Sequence, residues 1–305
     1  MIRRNFIKIA GLGTLGLIKS DYTNFDYTQE QINNKKEIFK KEFSRIPSSD
    51  YYNVSHNLIV WKSAADGLDF SRVEVYREKE LVDVIATVKI NPEINKIRVF
   101  NGNTETRTES RYIESWQEKT GALAMINGNQ YMSDPHLYPC ALVICDGKQI
   151  GPKSNKYSRG MFVAEPKDLE GKLKKADLLD FDYDSFDYKT TPYTQGVQHW
   201  PILLDREGNI KVKETDLRAN RTVIAKTKED EILFMTSEGE YFTLYNLGMF
   251  LKESNERKDK GFNIHTAMNL DGGNTSEMIV KSNGIKYSNN VKTRIPGVIG
   301  VFSRY

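Results

Sequence analysis

One glycine-rich turn carries the residue types best suited to chemistry. In the run Asn269–Ser276, Asp271 stands between an apolar stretch and the pair Gly272 and Gly273. Glycines allow positive φ and let the backbone approach a ligand closely. Successive free N–H groups in such a turn form a concavity suited to an anion. The pattern predicts an anion site beside a carboxylate, and a plain Asp-Gly hairpin turn is the alternative.

The elements around this turn are predicted to be a helix and two strands. Apolar residues with helical spacing precede it at Leu244, Leu247, Gly248, Phe250 and Leu251. A charged turn at Glu253–Lys260 follows, and His265–Asp271 then predicts a short strand that enters the glycine turn. Met278–Val280 resumes a strand pattern. Asp271 is therefore expected where a strand stops, which is where binding residues gather.

The glycine turn and five other segments resemble sequence elements of the phosphodiester glycosidase family, and they occur along the chain in the same order as in that family. The hallmark Asn-Leu-Asp-Gly-Gly-x-Thr-Ser lies at Asn269–Ser276, and the other similar segments are Gly121–Gly128, Gln198–Leu204, Arg221–Ala225, Phe242–Leu247 and Arg294–Phe302. The resemblance runs from about Gly67 to Phe302. It implies an exported hydrolase that cleaves a sugar from a phosphodiester, in an envelope or extracellular glycan.

The sequence also departs from the family pattern. Trp200, Ala225 and Asn274 stand where the family usually has glycine, and Asn129–Tyr131 differs from the usual continuation after the Asn-Gly pair. The chain is therefore a divergent member, and Trp200 could either cover a sugar face or block the pocket. These departures keep open a second interpretation, a non-catalytic protein that binds a glycan or phosphoglycan on the same fold.

The resemblance implies two sets of site residues. The predicted catalytic residues are Asp271, Arg221 and Glu277. The predicted substrate-binding residues are Asn127, Gly128, Gln198, Thr222, Asn269, Gly272, Gly273, Thr275 and Ser276. A planar guanidinium meets phosphate oxygens in pairs, and a carboxylate stabilises positive charge at an anomeric carbon. Without the resemblance, the preferred interpretation of Arg221 is a surface strand residue. Even with the resemblance, Asp271 is equally well interpreted as a cap for its own turn.

Several other residues are weaker candidates. Arg218 is a reserve phosphate ligand, Glu238 a second carboxylate and Asp134 a possible acid. His136 and His199 flank the predicted site, although surface or core histidines are more common than catalytic ones. The sequence contains no zinc-ligand spacing, no Gly-x-Ser-x-Gly elbow and no P-loop. We therefore expect neither a metal nor a cofactor.

Composition is that of a soluble globular protein, with 39% hydrophobic and 28% charged residues. The formal net charge is +3, but four basic residues precede the first acid, Asp21: Arg3, Arg4, Lys8 and Lys19. The rest of the chain is close to neutral, so charge gives no argument for a nucleic-acid partner. The expected partner is a phosphorylated or phosphodiester-linked glycan.

The N-terminus predicts export. The run from Arg3 to Lys8 resembles a twin-arginine motif, and the apolar stretch Ile9–Ile18 that follows is short of the ~20 residues needed to span a bilayer. A basic segment and a short apolar run are typical of a signal peptide, assigned here to residues 1–20. We expect a periplasmic, cell-surface or secreted protein without a transmembrane domain. An uncleaved signal would leave an N-terminal membrane tether.

Two cysteines are predicted to remain unpaired. Cys140–Cys145 has the pattern of one strand, in which five steps separate the Cα atoms by roughly 16 Å. A disulfide requires less than about 7 Å. Burial as small apolar residues is the expected role of both.

The rest of the chain predicts an α+β fold. Residues 21–55 form a helical lead-in, with one helix over 28–44, and residues 56–305 form a single catalytic-type domain. Strands are predicted at Val73–Tyr76, Val82–Ile90 and Lys96–Phe100 and near Ile202, Ile210, Val223 and Ile232. Helices are predicted at Ile113–Lys119 and Asp168–Asp180. A loop is predicted at Asp182–Tyr193. Because strands outnumber helices without regular alternation, we expect a mainly antiparallel sheet with a few flanking helices.

Overall fold

The computed structural model describes residues 54–56, 58–77, 79–102, 109–132, 137–153, 157–168, 170–257, 261–289 and 293–305. The predicted signal peptide, the predicted helix over 28–44, Asp134 and His136 lie outside these residues. Within the described ranges, no helix is long and apolar enough to cross a membrane.

The largest sheet has eight antiparallel strands, numbered here in chain order. Their order in space is β1 (Val54–His56), β3 (Leu68–Arg77), β4 (Glu80–Ile90), β14 (Ile232–Ser237), β13 (Thr222–Thr227), β15 (Ile264–Asn269) and β12 (Ile202–Leu204), with β2 (Lys62–Ala65) beside β3. The central strands β13 and β14 are buried along their whole length. This first sheet is therefore covered on both faces.

Two further antiparallel sheets have five strands each. The second sheet has the order β10 (Ala176–Asp180), β9 (Gly160–Pro166), β11 (Tyr193–His199), β7 (Val143–Cys145) and β8 (Lys148–Ile150). The third sheet has the order β17 (Ile285–Ser288), β16 (Met278–Ser282), β6 (Ala124–Asn127), β18 (Gly297–Ser303) and β5 (Asn95–Asn101).

Two α-helices flank the sheets in the part of the chain that the structure describes. Helix α1 (Ile113–Thr120) packs on the third sheet and ends at Gly121, whose φ of 72° is left-handed. Helix α2 (Leu244–Glu256) packs on the first sheet, and the Thr243 hydroxyl caps it by accepting a hydrogen bond from Asn246 N. Both helices begin where the sequence predicts them.

The main hydrophobic core lies between the sheets. One cluster contains Phe70 of the first sheet, Phe162 of the second and Ile126 of the third. A second cluster lies between the other face of the first sheet and α2, and includes Val223 and Leu233. Alternate residues of each central strand therefore face opposite cores, as strand geometry requires. The expected antiparallel sheets with few helices are confirmed.

Some predicted elements are wrong in detail. Asp168–Asp180 is not a helix, because the Asp168 carboxylate accepts hydrogen bonds from Glu170 N and Leu173 N in a turn and Ala176–Asp180 pairs with β9. Ile210 forms only an isolated bridge, to Leu204.

The cysteine segment is also shorter than predicted. Only Val143–Cys145 is a strand, and Cys140 lies in a bend before it. Both cysteines are nevertheless free, so the predicted absence of a disulfide is confirmed.

Candidate active site

The predicted glycine turn lies where the three sheets meet. The chain leaves the first sheet at Asn269, passes a 3-10 turn at Gly273–Thr275, and enters the third sheet at Met278. A second connection, Trp200–Pro201, leads from the second sheet into the first. Asn269 N donates a hydrogen bond to Pro201 O at 3.0 Å. This bond ties the two connections together.

Asn127 is the residue that holds the turn in place. It is buried at the end of β6, and its Nδ2 donates to Asp271 O at 2.8 Å. Its Oδ1 accepts hydrogen bonds from Thr222 Oγ1 at 2.7 Å and from Glu277 N at 3.0 Å. One amide thus links the first sheet, the third sheet and the turn. Its predicted contact with substrate stays a prediction, because these bonds are all internal to the protein.

The Asp271 side chain is folded back onto its own turn. Oδ1 accepts a hydrogen bond from Gly272 N at 3.1 Å, and Oδ2 accepts one from Thr275 Oγ1 at 2.8 Å. The residue keeps some exposure to solvent, yet the withdrawal of its carboxyl from water raises its pKa to about 6, and the two hydrogen bonds oppose this shift. Asp271 therefore titrates close to neutral pH, as many functional carboxylates do.

Two neighbours of Asp271, Cys140 and Tyr131, are absent from the site residues predicted from the sequence. Burial raises the pKa of the Cys140 thiol to about 11, and the Asp271 charge adds to that effect. Burial also raises the pKa of Tyr131 strongly, with smaller contributions from the charges of Cys145 and Asp271. The Tyr131 hydroxyl packs so closely on Gly297 that a Cβ there would lie 1.9 Å from it. No local motif marks these contacts, because they join distant segments.

Arg221 lies against the other side of the turn. A Cβ added at Gly272 would be 3.8 Å from Arg221 Nη1. The guanidinium is buried, and it donates only to main-chain carbonyls, from Nε to Phe242 O and from Nη2 to Leu217 O. No carboxylate of the described residues forms a salt bridge with it.

The charge of Arg221 is therefore uncompensated within the described chain. Burial alone lowers its pKa to about 10, so the side chain stays protonated at neutral pH. A cavity of about 10 Å³ lies beside it, bounded mainly by apolar residues. That volume is close to the smallest that holds one water molecule. Buried charges normally have a partner of opposite charge, and Arg221 has none among the described residues.

The other predicted catalytic residue, Glu277, faces a different part of the molecule. It is fully buried, and its Oε1 accepts a hydrogen bond from Thr293 N near the start of α1. Burial raises its pKa to about 8. Its main chain belongs to the Asn127 network, whereas its carboxyl points toward α1.

The remaining predicted residues occupy two places. Thr222, Asn269, Gly272, Gly273, Thr275 and Ser276 lie in or beside the turn, and Gly128 follows Asn127 and bonds to Gly297 O. Gln198 is different, since its side chain joins Leu142 N to Ser158 O in and beside the second sheet. The structure thus brings Asn127, Arg221 and Asp271 together, and it gives Gln198 bonds elsewhere. Their roles toward a ligand stay predictions.

The weaker carboxylate candidate is neutralised by a cation. Glu238 forms a bidentate pair with Arg72, at 2.8 and 2.6 Å, and also accepts a hydrogen bond from Tyr287 OH. Across the described ranges, no group of three or more His, Cys, Asp or Glu side chains is arranged to hold a metal ion.

Comparisons with known proteins give consistent results. The sequence model of the phosphodiester glycosidase family matches residues 120–302, which is more than half of the chain. A structure of the zebrafish N-acetylglucosamine-1-phosphodiester alpha-N-acetylglucosaminidase catalytic domain, auto-inhibited by its pro-peptide, is 18% identical with a TM-score of 0.53. The match covers 83% of this chain and 89% of that one.

A hypothetical protein from Synechocystis is also similar in structure, with 13% identity and a TM-score of 0.56. The match covers 81% of this chain and 64% of that chain, so this chain spans just under two thirds of the Synechocystis structure. At these identities both structures establish likeness of fold alone. A search of curated proteins found no match.

Proposed function

Because this chain belongs to the phosphodiester glycosidase family, we propose that it is an exported hydrolase that cleaves sugar-1-phosphodiesters of an envelope or extracellular glycan. One observation carries the proposal. Arg221 is a buried guanidinium without a carboxylate partner in the described chain, and it lies against the turn that holds Asp271. A phosphodiester anion would supply the missing charge, and Arg221 Nη1 is the donor left to bind it.

The proposed reaction uses two residues of the chain, Arg221 and Asp271. The bond between the anomeric carbon and the phosphate oxygen breaks, and the electron pair leaves with the phosphate, whose charge Arg221 stabilises. Asp271, ionised above a pKa of about 6, stabilises the positive charge that develops on the sugar. Water adds to the anomeric carbon and releases a proton to solvent. A phosphate monoester leaves readily, so a strong general acid is less necessary here than at an ordinary glycoside.

A second candidate function is glycan binding without catalysis. One observation favours it: both Asp271 oxygens already accept hydrogen bonds from the turn itself. A carboxylate held in this way acts as a turn cap, which is a structural role. In this case Arg221 would hold a phosphoglycan and no bond would break.

The test is a turnover screen over sugar-1-phosphodiesters that differ in the sugar, each with a methyl group on the phosphate. We expect release of free sugar from at least one substrate. Arg221→Lys should reduce kcat/KM by about 10²–10³, because one ammonium lacks the planar fork that reaches Phe242 O, Leu217 O and a phosphate oxygen together.

Arg206→Lys is the matched control, since Arg206 forms a surface salt bridge with Asp184 and should keep wild-type turnover. If no substrate turns over while the wild type binds a phosphoglycan, the glycan-binding function replaces the hydrolase.

A further inference from the structure

The connection between the second and first sheets presents an aromatic ring beside the proposed site. Trp200 is half-buried, and its indole stacks on the His199 imidazole with centroids 4.9 Å apart and planes 12° apart. Among the described residues, no other ring and no cation lies over the indole, and its N–H has no hydrogen-bond partner. The imidazole therefore supports one face of the indole, which leaves the other face without an aromatic or cationic neighbour.

The position of this ring is fixed by its main chain. Trp200 O accepts a hydrogen bond from His199 Nδ1 at 2.7 Å and a longer one from Asn269 Nδ2 at 3.4 Å. Asn269 is only two residues before Asp271, so the indole is anchored to the strand that carries the proposed carboxylate. Preorganised aromatic surfaces lose little entropy when a ligand binds, because their side-chain torsions are already restricted.

Two buried polar atoms beside the ring lack a well-formed hydrogen bond. Nδ1 of His199 donates to Trp200 O, so it carries the proton, and the nearby Asn269 carbonyl also acts to raise the pKa of the ring. Burial lowers the pKa of His199 to about 4, so the ring is neutral at physiological pH. Its Nε2 and the Oδ1 of Asn269 are both buried without a hydrogen-bond partner. Unpaired buried polar atoms are uncommon and indicate a missing partner.

We infer that the Trp200 indole is a stacking shelf for the sugar ring of the substrate, and that His199 and Asn269 form its polar border. A sugar suits this surface because it combines an apolar C–H face, which packs on an aromatic ring, with hydroxyl donors at its edge. The inference rests on the proposed function for the identity of the ligand, and it extends that function by naming the surface that selects the sugar. A phosphate group alone would make no use of the shelf.

Sugar binding can be tested separately from turnover. Methyl glycosides of the common hexoses and N-acetylhexosamines lack phosphate, so they report on the shelf without Arg221. Tryptophan emission of the wild type should change saturably with at least one of them. The matched control is Trp61→Phe, because Trp61 directly precedes β2 and its ring lies under the Lys89 ammonium. Its titration should equal that of the wild type.

Substitution of the shelf then measures its contribution. Calorimetric titration of Trp200→Ala with the same methyl glycoside should give a Kd at least 10-fold higher than the wild type, consistent with the loss of an aromatic contact. Trp200→Phe keeps a ring and should lose less. Inhibition by inorganic phosphate should be unchanged in both variants, which separates loss of the shelf from misfolding of the site.

The outcomes distinguish this inference from the function on which it rests. If Trp200→Ala weakens sugar binding but no phosphodiester is turned over, the stacking role of Trp200 is supported and the proposed hydrolase is excluded. If Trp200→Ala turns over a phosphodiester with an unchanged KM, the proposed hydrolase is supported and the stacking role of Trp200 is excluded. Tighter sugar binding or faster turnover in Trp200→Ala would mean that the indole blocks the site, which overturns the inference.

Discussion

The environment of Asp271 determines how the expected kcat/KM depends on pH. Its pKa is raised to about 6 because burial disfavours the charged form. Stabilisation of a developing cation requires the carboxylate, so kcat/KM should rise as pH increases through about 6 and level off above it. Asp271→Asn should abolish most turnover together with this dependence. A pH profile that stays flat between pH 5 and 7 (the assay range) in the wild type would exclude Asp271 as the required carboxylate.

The raised pKa of Asp271 also makes the stability of the fold depend on pH. A carboxyl whose pKa is raised on folding binds its proton more tightly in the folded state, so its contribution to stability falls as pH rises from about 4 to above 6. Asp271→Asn should therefore increase the free energy of unfolding at pH 7 by up to about 3 kcal/mol, with little change at pH 4. Urea unfolding at both values measures this. A loss of stability at pH 7 would show that Asp271 acts mainly as a turn cap.

The two cysteine thiols should react slowly in the folded protein. Burial raises the pKa of Cys140 to about 11 and also raises the pKa of Cys145, so few thiolates are present at pH 8. A thiol reagent should label both rapidly in denaturant without reductant and neither rapidly in buffer. Fast labelling of a native thiol at pH 8 would contradict the raised pKa values of these two half-buried cysteines.

At the scale of the elements, Asn127 connects β6, β13 and the turn. Asn127→Ala would leave Glu277 N and Thr222 Oγ1 without their acceptor, and each unpaired buried group costs about 1–3 kcal/mol. We expect a lower melting temperature and lower turnover together, because the turn loses its anchor. The control is Asn274→Ala, which changes an exposed residue of the same turn and should affect neither. Normal stability of Asn127→Ala would refute the linking role.

The sequence predicts those elements whose signals are local. The Thr243 cap and the apolar spacing of α2 lie within a few residues of each other, as do the alternating positions of β3 and β4. The strand Ala176–Asp180 was missed because a charged stretch suited to a helix precedes it, while its pairing with β9 is non-local. Tertiary pairing overrides local propensity in such segments.

The site residues also divide into those that a local sequence pattern predicts and those that depend on non-local contacts. Asp271 and its glycines form a local pattern, so they could be selected from the sequence. The approach of Tyr131 to Gly297 and the burial of the Glu277 carboxyl arise from contacts between distant segments. Nothing in the spacing of these residues records such contacts.

At the scale of the whole molecule, the connections between the three sheets meet at the Asp271 turn. The proposed substrate lies outside the cytoplasm, so the proposed function requires export. The twin-arginine motif at Arg3 and Arg4 lies outside the described residues and stays a prediction. Replacement of both with lysine should abolish export of a reporter fused after residue 20, because the twin-arginine pathway requires the pair. Single replacement of Lys8 with arginine is the matched control. Unchanged export of the double variant would exclude the twin-arginine pathway for this protein.

The proposed hydrolase breaks the bond between a sugar and its phosphate at the Asp271 turn. The most direct measurement is turnover of a methyl sugar-1-phosphodiester in water labelled with heavy oxygen, followed by mass spectrometry of both products. Attack at the anomeric carbon places the label in the sugar and leaves the methyl phosphate unlabelled, and Asp271→Asn should yield almost no labelled sugar. Label in the methyl phosphate, or in a sugar 1-phosphate formed with release of methanol, would mean that a bond to phosphorus breaks, and it would contradict the proposed glycosidase.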